Sequence, residues 1–162
     1  MITQEDQAAM LEQDEEGVPL QTFQRSFAQI CAGEEPWLPL GIFMHQFFGY
    51  YKHRRDELVR DPIEMPEQPD QEQRQWAAFC AASVEYLCAK YDLSCPDWVH
   101  DPRYSLDYPW YYDISADLPE VQEELRQTTP EKFTKHNVFC GDRTYLNKYE
   151  HTGRHGRRRR IA

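Results

Sequence analysis

The chain has 162 residues, 40% of them hydrophobic and 14% aromatic, with 28 acidic against 18 basic side chains and a mean hydropathy of -0.85. A length of this order predicts one domain that buries about 70% of its unfolded surface, and a net charge of -10 excludes a body that attracts nucleic acid by charge alone. The longest apolar window, 37–51, is broken by Pro39, His45 and Gln46 and is too short for a bilayer span, which needs about 20 apolar residues.

The first stretch, MITQEDQAAMLEQDEEG, has neither the basic start nor the apolar run of a secretory signal, so a cytoplasmic location is expected. Cysteine usage agrees. Cys31, Cys80, Cys88, Cys95 and Cys140 are odd in number, scattered, and set in apolar sequence without a CxxC pair. They read as free, buried thiols rather than a disulfide framework or a zinc ribbon.

Residues 1–18 are acidic and read as a flexible arm, 19–149 as the helical domain, and 150–162 as a basic flexible tail. Leu20, Phe23, Phe27 and Ile30 recur at spacings of three and four, predicting an amphipathic helix stopped by Gly33. A second helix is expected from near Pro39 to about Arg60, with Leu40, Phe43, Met44, Phe47, Phe48 and Tyr51 on its apolar face, ended by Asp61-Pro62. The proline-rich PIEMPEQPD then connects to Asp70, an N-cap.

The helix from Gln71 to about Tyr91 carries Trp76, Phe79, Cys80, Val84, Leu87 and Tyr91 on one face and five alanines over much of the rest. Small residues let neighbouring helices approach closely, which predicts the central helix of a bundle. Glu85 is the anomaly on it. Beyond Leu93 lies CPDWVHDPRYSLDYPWYYD, rich in Trp, Tyr and Pro, expected to be an irregular wrap with Trp98, Tyr104, Leu106 and Trp110 turned onto the helices. Tyr108, Tyr111 and Tyr112 are left partly outside as candidate partner-binding residues. Short helices are expected at Leu118–Gln127 and Pro130–His136, the second with Thr129 as N-cap, then an extended 137–141 and a last turn capped by Asp142.

The fold expected is mainly α: a single-domain helical bundle with an irregular, aromatic-rich C-terminal wrap. Its chemistry is sparse. His45 and His53 stand two helical turns apart, about 12 Å, so they cannot share an ion, and no metal or cofactor is expected. Neither Ser83 nor any cysteine sits in a nucleophile motif, and no glycine pattern cradles a phosphate. His100, between Asp97 and Asp101, and Glu85 are the candidates for acid–base chemistry, against a structural role for Glu85 as a paired carboxylate. The tail residues Arg154, Arg157, Arg158, Arg159 and Arg160 are the candidate nucleic-acid contacts; without them, residues 1–153 carry 13 basic against 28 acidic side chains, or -15.

The runs WAAFCAASVEYLC, PDWVHDPRYSLDYPWYY and PEKFTKHNVFC, in that order, resemble a family of small, poorly characterised bacterial proteins. The shared features are a small-residue helix, a Pro-x-Trp-Val turn, a Tyr-x-Leu-x-x-Pro-Trp segment and a Phe…Asn-x-Phe ending, covering about residues 36–146. The resemblance implies a regulator from a toxin–antitoxin-like gene pair whose partner is a nucleotidyltransferase-like toxin. Thr134-Lys135-His136 departs from the arginine-rich run such proteins carry, and the polyarginine tail is not one of their features. The leading expectation is a non-enzymatic protein that binds and restrains a partner. A nucleic-acid-binding regulator using the Arg tail is the alternative, and an enzyme using His100 or Glu85 comes third.

Overall fold

The computed structural model describes residues 19–147. Six α-helices, together with short π and 3-10 turns, account for most of them: α1 (Phe23–Cys31), α2 (Trp37–His45), α3 (Arg55–Arg60), α4 (Gln71–Tyr91), α5 (Pro119–Thr128) and α6 (Glu131–Thr134). Two short strands, β1 (Trp110–Tyr111) and β2 (Val138–Phe139), pair in parallel with Trp110 opposite Val138. The mainly α single domain expected from the sequence is the architecture found. The acidic arm and the arginine tail lie outside the described residues.

α4 is the axis of the molecule. Asp70 and Gln73 close a capping box, each side chain bonding the other's backbone N–H at 2.8 and 3.0 Å. From Trp76 through Glu85 every residue of α4 is buried, so the helix is enclosed on all sides. α1 and α2 pack together, α1 and α6 pack on α4, and the two 3-10 turns of the wrap, Asp97–His100 and Pro102–Tyr104, lie along it. The alanine-rich surface permits this crowding because no long side chain holds the neighbours off.

α1 starts where Thr22 Oγ1 accepts from Arg25 N at 3.0 Å, one turn later than Leu20, which is buried ahead of the helix. Gly33 ends the region with φ +103°, a conformation other residues avoid.

The single helix expected over 39–60 is four pieces. After α2 the chain widens into a π-turn, Gln46–Tyr50, in which Tyr51 N reaches Gln46 O at 2.7 Å; a 3-10 turn, Lys52–Arg54, follows before α3. The widening serves buried polar groups. Gln46 turns inward, accepting from Gln21 N at 2.7 Å and donating to Pro19 O at 3.0 Å. Arg55 Nε donates to the Phe47 carbonyl, and its guanidinium lies over the Phe47 and Tyr91 rings. Tertiary satisfaction of these groups outweighs the uniform apolar periodicity.

The wrap is more regular than its sequence indicates. Leu106 N donates to His136 O, Trp110 N to Asn137 O and Tyr112 N to Phe139 O, and Asn137 Nδ2 donates to Leu106 O at 2.6 Å. Segment 136–139 is therefore the template on which 106–112 is laid. Asn137 makes the required turn in the left-handed region, φ 62°. Pro130, not Thr129, occupies the N-cap position of α6, because Thr129 Oγ1 is used to accept from Gly141 N at 2.8 Å.

Candidate functional site

Two features of the wrap carry chemistry or contact: a charged cluster at Glu85 and the loop that follows Trp110.

Glu85 projects from the buried C-terminal half of α4 and is 3% exposed. Three basic side chains converge on its carboxylate. His136 Nε2 and His100 Nδ1 each lie 3.2 Å from Oε1. Lys135 Nζ sits 2.5 Å from Oε2, an ion-pair contact off the direction of a hydrogen bond. His136 is itself buried, and its Nδ1 is 2.6 Å from the Tyr104 carbonyl oxygen. A carbonyl only accepts, so Nδ1 carries a proton, and the Nε2···Oε1 contact then requires a second one between imidazole and carboxylate. His100 comes from the first 3-10 turn of the wrap, Lys135 and His136 from the end of α6. One carboxylate thus ties three segments distant in sequence. A charge is tolerated at that depth only with partners on both oxygens.

The structure brings together Glu85 and His100, the two acid–base candidates of the sequence. It adds Lys135 and His136, which the sequence marks only as a departure from an arginine-rich run. Their signal was indirect: a Lys-His pair just ahead of the Asn-Val-Phe-Cys run. Cys88 and Cys95 flank the cluster. Burial pushes the Cys88 thiol up to about 12, with the neighbouring Cys95 and the charge of Glu85 adding to it. Cys95 is exposed, which corrects the expectation that all five thiols are buried; Cys31 and Cys140 are half-buried.

The tyrosines of the wrap divide. Tyr108 is exposed. The Tyr111 ring lies against Phe139, and its hydroxyl accepts from Arg126 Nη1 at 2.7 Å. Tyr112 is half-buried among Trp37, Trp76 and Trp110, and its hydroxyl accepts from Trp37 Nε1 at 2.6 Å. Tyr111 and Tyr112 therefore have structural partners, and Tyr108 presents its ring to solvent. Trp110 meets Trp76 edge-to-face at 5.3 Å, so the indole anchors the wrap on α4.

Beyond that anchor the chain exposes apolar side chains that the sequence reading had not singled out. Ile114 is fully exposed and Leu118 is 43% exposed. They stand on an ordered loop: Ser115 N bonds Asp113 Oδ1 at 2.9 Å, Leu118 N bonds Ser115 O at 3.0 Å, and Gln122 Nε2 bonds Ala116 O at 2.8 Å. Asp107, Asp113, Asp117, Glu120, Glu123 and Glu124 are exposed around them.

Among the described residues no group of three or more His, Cys, Asp and Glu side chains is placed to hold a metal ion, and no helix is long and apolar enough to cross a membrane. The candidate nucleic-acid residues of the tail fall outside the described region. Comparison with protein-family models, with curated proteins and with solved structures finds no match to this chain.

Proposed function

We propose that this is a partner-binding protein whose contact surface is the loop 108–118, and that its partner is a protein offering an apolar pocket rimmed by basic residues. The observation that carries this reading is Ile114, a large aliphatic side chain held fully in solvent on a hydrogen-bonded loop. Tyr108 and Leu118 accompany it within the same eleven residues. A stiff loop loses little entropy on docking, so exposed apolar anchors on it convert efficiently into affinity. The surrounding carboxylates select a basic partner and disfavour nucleic acid. The ordered motifs that resemble a bacterial family of toxin–antitoxin gene pairs support the same reading, with restraint of a toxin as its sharpest form.

An enzyme is the second reading, and the contact between Glu85 and His100 is what favours it. It ranks lower because the carboxylate is buried and already crowded by His100, Lys135 and His136.

A photo-crosslinking side chain placed at position 114 of the full chain, activated in the cells that make the protein, tests the proposal. The expected result is one dominant protein adduct, lost when Tyr108 and Leu118 are both changed to Ser in a chain that unfolds at the parent's midpoint. An unchanged adduct in that variant, or none in the parent, overturns it.

A further inference from the structure

The charges around α2 are sorted by sign. From Ala32 to His53 the acids are Glu34 and Glu35, both ahead of the helix, and the basic side chains are His45, Lys52 and His53, all at its end or beyond. All five are exposed. Arg54 and Arg55 follow, the first paired with Glu57 and the second bonded to the Phe47 carbonyl over the Phe47 and Tyr91 rings. The next acids, Asp56 and Glu57, belong to α3.

Between its two charged ends the outward face of α2 is apolar. Pro39, Leu40 and Phe43 fill the core side, while Leu38 and Ile42, one turn apart, are 58% and 44% exposed. Gly41 stands beside them, and a Cβ there would meet nothing within 4 Å, so a neighbouring backbone can come close. Tyr50, in the π-turn, adds an exposed ring at the basic end.

We propose that this face of α2 is the interface of a two-fold symmetric dimer in which the α2 helices of two copies pack antiparallel. Such an interface uses the same patch twice and must complement itself. With the axis midway between Leu38 and Ile42, Leu38 of one copy meets Ile42 of the other. Glu35 precedes Leu38 by three residues and His45 follows Ile42 by three, so these two come level as well. Glu34 then faces the basic stretch around Lys52. A second copy is the occupant the charges select. The chain carries a net charge of -10, so two copies repel wherever acid faces acid. Antiparallel pairing sets base against acid at both ends; parallel pairing would set like against like. A nine-residue helix buries little area, which places the dimer among weak, concentration-dependent assemblies.

Sedimentation velocity of the purified full-length chain, from low to several hundred micromolar, tests the proposal. It needs no partner protein, so its outcome is independent of the reading of loop 108–118. The expected result is a rise in mass with concentration toward twice 19.4 kDa. Leu38→Ser combined with Ile42→Ser should stay monomeric while keeping the parent's circular dichroism. Should that variant lose its fold, Ile42→Lys alone takes its place. Charge reversal then reports the orientation. Glu34→Lys and Lys52→Glu should each weaken the dimer about tenfold, and the two together in one chain should restore it to within about threefold of the parent. Glu35 is kept in these variants because its Oε2 accepts from Trp37 N at 3.1 Å where α2 begins. A parent chain that stays monomeric leaves this face to another segment or another protein and overturns the proposal. So does a dimer that survives the changes at 38 and 42, or a double reversal that fails to recover.

Discussion

The two halves of α4 hold the molecule together by different physics. Around Trp76 and Phe79 the neighbours are rings: Trp37, Trp110 and Tyr112 surround Trp76, while Trp37, Phe133 and Tyr145 surround Phe79, mostly at centroid separations of 5 to 6 Å. Two turns on, Glu85 meets His100, Lys135 and His136. Ring contacts are individually weak and numerous, so a change of shape is shared among many neighbours. The ionic end has few contacts, and because Glu85 and His136 are both buried, removing either one leaves the other without full compensation. The aromatic half gives bulk stability; the ionic half fixes which segments meet.

That contrast is sharpest when shape is preserved at both ends. Phe79→Ala should cost about 4 kcal/mol and Glu85→Ala about 3 kcal/mol, nearly alike. The gentler pair should separate: Phe79→Leu at about 1 kcal/mol and Glu85→Gln at about 2 kcal/mol, because a neutral amide leaves His136 and Lys135 without their counter-charge. Urea unfolding of all four variants measures this, and equal costs for the conservative pair would erase the distinction.

Trp110→Ala comes next, at about 2 kcal/mol, since the indole is only half-buried although it contacts Trp76 and Tyr112. The variant should also speed proteolysis within 106–118. An unchanged midpoint would mean that pairing of β1 with β2 suffices to hold the wrap.

Tyr145 is a polar handle within the aromatic half. Its hydroxyl donates to Ser83 Oγ at 2.7 Å, and burial holds the phenol well above its ordinary 10.0. A group whose folded midpoint is raised contributes its full stability below the unfolded midpoint and loses it as pH climbs from there toward the folded one. Stability should therefore fall above pH 10, the unfolded value of the phenol. Tyr145→Phe should cost about 1 kcal/mol at neutral pH and flatten that alkaline loss, as thermal unfolding across the range would report.

The smallest effect is expected on the surface. The hydrogen bond from Arg54 holds the Glu57 carboxyl below its ordinary range, so the small stability it contributes is present above that range and fades as pH falls through the lowered value. In Arg54→Met the Glu57 carboxyl should titrate higher by NMR with almost no shift in melting temperature. A large shift would place this partly exposed pair among the interactions that hold the fold.

Much of this was legible in the chain itself. Helix α4 runs Gln71–Tyr91, as its cap, its apolar spacing and its alanines dictate, because those signals act within a few residues of one another. The short helices near 119 and 131 and the burial of Tyr104 and Leu106 follow for the same local reason. The break at Gln46–Arg54 did not, because the groups that reward it, Pro19, Gln21, Phe47 and Tyr91, are spread over more than 70 residues. Nor was the parallel pairing of 110–111 with 138–139 visible, since two-residue strands have no periodicity to read. The candidate site divides along the same line. Sequence picked out Glu85 as a charge on an apolar helix, His100 as an imidazole between two carboxylates, and Tyr108, Tyr111 and Tyr112 as outer rings of the aromatic stretch. Only the tertiary structure set Lys135 and His136 against Glu85, withdrew Tyr111 and Tyr112 toward Arg126 and Trp37, and left Ile114 in solvent. Local patterns encode helices; the company a buried charge keeps is decided by which distant segments the packed core brings within hydrogen-bonding distance.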